Sequence, residues 1–168
     1  MIAQNLAHIR KQITQCECHS ETQSAVKLLA VSKTKPIEDI LTAYEAGQMA
    51  FGENYVQEGV EKIQFCQQHQ IELEWHFIGP LQSNKTRLVA EYFDWMQTLE
   101  RAKIADRLNE QRSPHKAPLN VLIQVNISNE TSKSGVQPNE ILSLAKHVEN
   151  LPHLRLRGLM AIPEPTDD

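Results

Sequence analysis

Short apolar runs that alternate with helical segments constrain the fold of this 168-residue chain more than any other feature of its sequence. The apolar runs have the length of strands, and they occupy residues 28–32, 48–54, 74–79, 95–99, 119–127 and 154–162. Helices are predicted over residues 2–18, 36–46, 55–69, 83–90, 100–112 and 138–149. Strands that alternate with helices predict right-handed crossover connections and a parallel sheet.

Individual residues support the predicted boundaries of the first two helices and the first strand. Apolar residues recur at helical spacing over residues 2–13, which predicts an amphipathic first helix. The run at 28–32 ends shortly before Pro36 and fits a strand that is buried on both faces. Pro36 suits the first turn of the next helix, and Gly47 suits its carboxyl-terminal cap.

Two parallel α/β architectures are compatible with this pattern. A doubly wound open sheet accommodates six strands, whereas a closed (β/α)₈ barrel has eight strands and typically about 250 residues. The length of 168 residues by itself favours the open sheet. Gly52 and Gly79 stand alone after their strands, and no glycine-rich phosphate loop is present. The sequence therefore excludes a dinucleotide-binding protein and a P-loop protein.

Composition and charge exclude further classes of protein. The formal net charge of -4 and the pI of about 6.0 argue against a general nucleic-acid-binding protein, which carries a basic excess on one face. The length fits a single domain over residues 1–168. Three cysteines, and an amino terminus without the features of an export segment, predict a reduced, cytoplasmic protein. We expect no membrane partner, because no apolar stretch approaches the about 20 residues of a spanning helix.

Lys33 ends the first apolar run and is the leading candidate for chemistry. An unpaired ammonium is costly to remove from water, so a lysine at the exit of a buried strand is uncommon. A neutral lysine amine can form a Schiff base with a carbonyl compound. Burial, or a neighbouring cation such as Lys35, would favour that neutral form. The alternative is that Lys33 simply extends into solvent.

Three more side chains lie at the ends of predicted strands. Because the carboxyl ends of parallel strands meet at one edge of a sheet, Asn54, His76 and Met160 are candidates to lie near Lys33. Each also has a structural alternative. Asn54 could cap the helix that begins near Tyr55. His76 could be a hydrogen-bonded core histidine, and Met160 could simply pack in the hydrophobic core.

Phosphate and metal sites are less well marked. Lys133 lies in a polar loop, where it could reach a phosphate group or remain exposed. Cys16 and Cys18 are too close together for the usual zinc-ligand spacing, and no second pair of ligands follows them. We therefore expect no metal site.

Five sequence blocks, in register across nearly the whole chain, closely resemble the pyridoxal phosphate homeostasis protein family. They are LLAVSKTKP at 28–36, FGENYVQE at 51–58, WHFIGPLQSNK at 75–85, the segment at 126–135 and RGLM at 157–160. The block at 75–85 alone is close to diagnostic of that family.

The resemblance implies a fold similar to the N-terminal domain of alanine racemase, a (β/α)₈ barrel that binds pyridoxal 5′-phosphate, a form of vitamin B6. It implies an internal aldimine on Lys33 and a cofactor ring lined by Asn54, His76 and Met160. Lys35 and Lys133 are similar to the accessory lysines of the family, which are candidate acceptors when the cofactor moves on or off Lys33.

The function implied by the resemblance is that of a cofactor carrier or buffer without established enzymatic turnover. Its implied partners are pyridoxal phosphate and the apo-enzymes that depend on it, and its implied state is a monomer or weak dimer. The alternatives are an amino-acid racemase and a Schiff-base aldolase that use Lys33. Racemisation normally needs a proton donor on each face of the substrate, and the sequence shows no tyrosine at a strand end opposite Lys33. The block at 75–85 argues against the aldolase.

The sequence stops soon after the sixth predicted strand, whereas members of the family continue through two more strands. In barrels of this type, loops after strands seven and eight commonly bind the phosphate. We therefore expect an incomplete barrel of about six strands that lacks the family's phosphate contacts. Its exposed edges would favour association.

Overall fold

Six helices and six strands alternate along the chain in the computed structural model, which describes residues 1–18, 25–128 and 134–165. The helices are α1 (Ile2–Glu17), α2 (Ile37–Glu45), α3 (Val56–Gln68), α4 (Thr86–Tyr92), α5 (Ala102–Gln111) and α6 (Ile141–Glu149). The strands are β1 (Ala30–Val31), β2 (Ala50–Glu53), β3 (Glu74–Phe77), β4 (Trp95–Leu99), β5 (Leu119–Gln124) and β6 (Leu154–Met160). The predicted order of helices and strands is confirmed, although most strands are shorter than predicted. Within these ranges, no helix has the length and apolar character needed to cross a bilayer.

The six strands form one parallel sheet in the order β1-β2-β3-β4-β5-β6. A doubly wound sheet reverses its strand order at a switch point, and the six strands of the described residues show no such reversal. The architecture is therefore that of a (β/α) barrel with six strands in the described part of the chain. This confirms the fold that the resemblance implied, whereas the doubly wound sheet favoured by chain length is wrong.

The main core lies between the sheet and the helices. Successive residues of a strand point to opposite faces, and the fully buried residues on the helix side include Phe51, Phe77, Met96, Val121 and Ile123. The helices contribute Ile63, Val89 and Leu108 to the same core. Each such side chain stabilises the fold by about 1.5–3 kcal/mol. This packing fixes the helices against the sheet. The loops that join strands to helices at the carboxyl edge of the sheet are thereby held in place.

The strand β1 lies at an edge of the described sheet. It has two residues, pairs with β2, and leaves Val31 53% exposed. The prediction of a strand buried on both faces is therefore wrong for β1. The apolar composition of the run at 28–32 suits a central strand of a closed barrel, but in the described residues no strand covers the other side of β1.

Candidate functional site

Lys33 lies in the turn that follows β1, at the carboxyl edge of the sheet. The Ser32 amide donates to the Gly52 carbonyl over 2.9 Å, which extends the pairing with β2 by one residue. The Lys35 amide then donates to the Ser32 carbonyl over 3.1 Å and closes a β-turn with Lys33 and Thr34 at its centre. Lys33 is exposed, and no hydrogen bond or ion pair joins its amine to any residue of the described ranges. The amine is accessible to a ligand, but it lacks the burial that was one expected route to its neutral form.

Asn54 follows β2 at the same edge and is half-buried. Its Oδ1 atom is buried and has no hydrogen-bond partner among the residues that the structure describes. The alternative role of Asn54 as a helix cap is wrong, because the N-cap position of α3 is Tyr55 and no side chain caps that end. A buried amide oxygen without a partner is destabilising by about 1–3 kcal/mol, so it indicates that a ligand or water supplies the donor.

Gly79, which lies shortly after β3, fixes the position of Asn54 by close backbone approach. A Cβ atom at Gly79 would lie 2.2 Å from the Asn54 carbonyl oxygen and 2.7 Å from its Cα atom, so only glycine fits there. On the other side, Thr98 Oγ1 of β4 donates to the Gly79 carbonyl over 2.7 Å. The carboxyl ends of β2, β3 and β4 are thus packed against one another at Gly79.

Two small cavities lie at this edge. The first has a volume of about 170 Å³, and its lining includes Asn54, Thr98 and Gln124. The second has a volume of about 200 Å³, shares Gln124, and includes Ser128, whose buried Oγ atom also has no partner within the described ranges. Thr98 and Gln124 were not among the residues predicted from the sequence. A polar residue that interrupts a buried apolar strand, as Gln124 does, is nevertheless a detectable signal.

His76 lies on the face of the sheet opposite the helices, one layer below Lys33. In the strand register His76 pairs with Gly52, and Gly52 pairs with Val31. His76 is therefore two residues, or about 6.5 Å, below the level of Lys33 and Asn54 along the strands. The structure thus places His76 beneath the candidate site, and its contact with the cofactor ring stays a prediction.

The contacts of His76 fit a neutral imidazole. Its Nε2 atom lies 2.6 Å from Glu74 Oε1, its Nδ1 atom lies 2.9 Å from Gln97 Nε2, and its ring stacks on Trp95 with centroids 5.1 Å apart. Because Gln97 Nε2 donates to Nδ1, the proton resides on Nε2, which donates to the Glu74 carboxylate. Burial lowers the pKa of His76, although the hydrogen bond to Glu74 acts in the opposite direction.

The other predicted site residues are more widely spread. Met160 ends β6, is half-buried and pairs with Gln124 of β5, so it lies at the far side of the same edge. Lys35 is exposed and lines a cavity of about 540 Å³ between α1, α2 and β1. Lys133 lies outside the described residues. The structure therefore brings Lys33 and Asn54 to neighbouring strand ends and places Met160 farther along the edge.

A buried ionic cluster, which we call the Lys62 cluster, lies behind Lys33 and consists of Ser32, Glu53, Glu58 and Lys62. Lys62 Nζ donates to Glu53 Oε1 over 2.7 Å, to Glu58 Oε1 over 2.7 Å and to the Ser32 carbonyl over 2.8 Å. Burial raises the pKa of Glu53, while hydrogen bonds from Lys62 and Ser32 oppose that shift. This cluster was not predicted from the sequence, although Glu58 and Lys62 have the i, i+4 spacing of a helical ion pair.

Comparison with known proteins gives close relatives over the whole chain. Residues 4–168 match the family described as alanine racemase, N-terminal domain. The pyridoxal phosphate homeostasis protein of Haemophilus influenzae is 73% identical over 168 residues, which cover 99% of this chain and 71% of that protein. The protein of the same name from Escherichia coli K12 is 58% identical over 172 residues, which cover 99% of this chain and 72% of that protein.

Solved structures agree with this relationship. PipY of Synechococcus elongatus PCC7942, solved with PLP bound, is 32% identical with a TM-score of 0.81, and the match covers 97% of this chain and 71% of that one. Alanine racemase of Clostridium difficile 630 is 17% identical with a TM-score of 0.69, and the match covers 93% of this chain and 40% of that one. This similarity shows a shared fold. The chain therefore belongs to the alanine racemase N-terminal domain family and, within it, to the pyridoxal phosphate homeostasis proteins.

Proposed function

We propose that this chain binds pyridoxal 5′-phosphate covalently on Lys33 and serves as a carrier in the homeostasis of that cofactor. The similarity to homeostasis proteins and to PLP-bound PipY supports the proposal. The observation that carries it is the position of Lys33, an exposed amine without an ion pair among the described residues, at the edge of the sheet. Ligands bind at this carboxyl-terminal edge in barrels of this type.

The residues at this edge fit such a ligand. The Lys33 amine would attack an aldehyde carbon and form a carbon–nitrogen double bond with loss of one water molecule. Asn54 Oδ1, which is buried and lacks a donor within the described ranges, would accept a hydrogen bond from the bound molecule. When bound, pyridoxal phosphate supplies an electron-accepting ring. His76 and Met160 are the proposed neighbours of that ring.

We propose a role without catalytic turnover, and the relatives, which are named for homeostasis, support that proposal. The exposure of Lys33 would allow a lysine of an apo-enzyme to reach the cofactor and displace it from the carrier. Lys35, two residues away, and Lys133 are proposed as accessory acceptors in that transfer. A reducing, cytoplasmic location is in keeping with the free cysteines Cys16, Cys18 and Cys66.

An absorbance titration with pyridoxal phosphate tests the covalent assignment. The native chain should develop the visible band of a Schiff base, and borohydride reduction followed by peptide mass spectrometry should locate the adduct on Lys33. Lys33→Ala should lose both signals. Lys103→Ala is the matched control, because Lys103 is also exposed but lies on α5.

Two results would contradict the proposal. An unchanged band in Lys33→Ala would exclude Lys33 as the site of attachment. Racemisation of an amino acid by the native chain, if abolished in Lys33→Ala, would show an enzyme in place of a carrier.

A further inference from the structure

The turn that carries Lys33 holds Thr34 in an unfavourable backbone conformation. The φ angle of Thr34 is 61°, in the left-handed region that β-branched residues rarely adopt. A residue stays in such a conformation only where its surroundings impose it. The contacts of the turn should therefore include groups that hold Thr34 in place.

The helix α3 supplies those groups on both sides of Lys33. After Lys33, the Thr34 amide donates to Glu58 Oε1 over 2.6 Å. Before Lys33, the Ser32 carbonyl accepts from Lys62 Nζ over 2.8 Å. Glu58 and Lys62 are themselves joined over 2.7 Å. The two backbone groups that flank Lys33 are thus bound to one ion pair on α3.

Lys62 is well suited to hold a fixed geometry. An ammonium group has three N–H donors, and those of Lys62 are all used, by Glu53, Glu58 and the Ser32 carbonyl. Its side chain is only 8% exposed, and that of Glu53 is 0% exposed. Replacing a buried ion pair by apolar residues is often neutral or stabilising, whereas such a pair can specify one particular conformation.

We propose that Glu58 and Lys62 are positioning residues for Lys33. They hold the turn in the conformation from which the Lys33 side chain leaves the backbone towards its ligand, and they act through Thr34 and Ser32 without touching the ligand. The inference rests on the proposed attachment of pyridoxal phosphate to Lys33.

The test compares pyridoxal phosphate affinity in variants of α3. Glu58→Ala removes the acceptor of the Thr34 amide, and the apparent dissociation constant from the Schiff-base absorbance should rise about tenfold. Glu58→Gln keeps an acceptor oxygen and should recover most of that loss. Glu61→Ala is the matched control, because Glu61 is exposed on the same helix and its carboxylate contacts Gln57.

A rescue experiment separates positioning from general destabilisation. Glycine adopts positive φ without strain, so Thr34→Gly should restore affinity to Glu58→Ala, whereas it would not repair a weakened core. Reductive methylation by formaldehyde and borohydride should label Lys33 equally in the native chain and Glu58→Ala, because it reports only the accessibility of the amine.

The outcomes distinguish this inference from the function on which it rests. If the native chain forms no adduct on Lys33, the proposed function fails. If the native chain forms the adduct and Glu58→Ala binds with equal affinity, only the positioning role is overturned. A loss in Glu58→Ala that Thr34→Gly does not restore would also overturn it.

Discussion

The substitution Gly79→Ala tests whether the close packing of strand ends creates the site. The added Cβ atom would lie 2.2 Å from the carbonyl oxygen of Asn54, 2.7 Å from its Cα atom and 2.8 Å from its carbonyl carbon. All three atoms belong to the backbone, so rotation of a side chain cannot relieve the overlap. Thr98 holds the carbonyl of Gly79 from the opposite side over 2.7 Å.

The size of the effect follows from these distances. Ordinary contacts between heavy atoms begin near 3.5 Å, so the ends of β2 and β3 would have to separate by about 1 Å. Overpacking of this kind is destabilising by typically 1–3 kcal/mol. Because the neighbouring backbone atoms are rigid, we expect Gly79→Ala to lower the free energy of unfolding by about 3 kcal/mol. Because Asn54 would move with the backbone, affinity for pyridoxal phosphate should also fall at least about tenfold.

Urea denaturation and the absorbance titration measure the two effects. Gly52→Ala is the matched control, since its Cβ atom would meet Ile78 Cδ1 at 2.9 Å, the tip of a side chain that can rotate. We expect that control to lose about 1 kcal/mol. If Gly79→Ala unfolds within about 0.5 kcal/mol of the native chain, the backbone contact between Gly79 and Asn54 is not as described.

Three further predictions concern buried polar groups. Lys62→Met leaves the buried carboxylate of Glu53 without its cation and should lower the free energy of unfolding by about 3–5 kcal/mol in urea; a loss below about 1 kcal/mol would contradict the cluster. Arg112→Met leaves three backbone carbonyls without their donor and should lower the free energy of unfolding by about 2–4 kcal/mol. An unchanged urea midpoint would contradict the contribution of these hydrogen bonds. Burial lowers the pKa of His76, so on acidification below about 6.5 the unfolded chain takes up a proton before the folded chain does, and stability falls. The stability difference between the native chain and His76→Gln should therefore shrink from pH 7.5 to pH 5.5, and a constant difference would contradict the neutral imidazole.

The periodicity of the sequence predicted the fold well because each helix and strand has local causes. Alternating apolar runs and amphipathic segments predicted the six α-helices and six strands of the described residues in the right order. Strand order depends instead on contacts between distant segments, so chain length suggested the wrong sheet, and the resemblance supplied the right one. The apolar run at 28–32 predicted burial on both faces, because residue type shows the tendency of a strand to be buried and not the number of its neighbouring strands. The open edge at β1 was instead expected from the incomplete barrel.

The positions of the candidate site residues were predictable to the extent that they lie at strand ends. Lys33 and Asn54 do lie at neighbouring strand ends, as the pattern indicated. The layer occupied by His76 depends on the strand register, which residue types do not reveal. Within the Lys62 cluster, Ser32 lies 21 and 30 positions from its partners Glu53 and Lys62, which are themselves nine positions apart. Only the i, i+4 pair of Glu58 and Lys62 leaves a local trace in the sequence.

The alternation of side chains after β1 explains how one short turn can be both fixed and reactive. Ser32 points towards the helices, where its hydroxyl donates to Glu53 Oε1 over 2.7 Å, whereas the next residue, Lys33, lies in the turn and is exposed. The anchoring hydrogen bonds can then be buried, where they are strong, while the amine stays accessible to a ligand. A shift of one residue would bury the amine against α3 and expose the anchor. The pairing of the Ser32 amide with the Gly52 carbonyl therefore fixes the register that keeps the Ser32 hydroxyl buried and leaves Lys33 exposed.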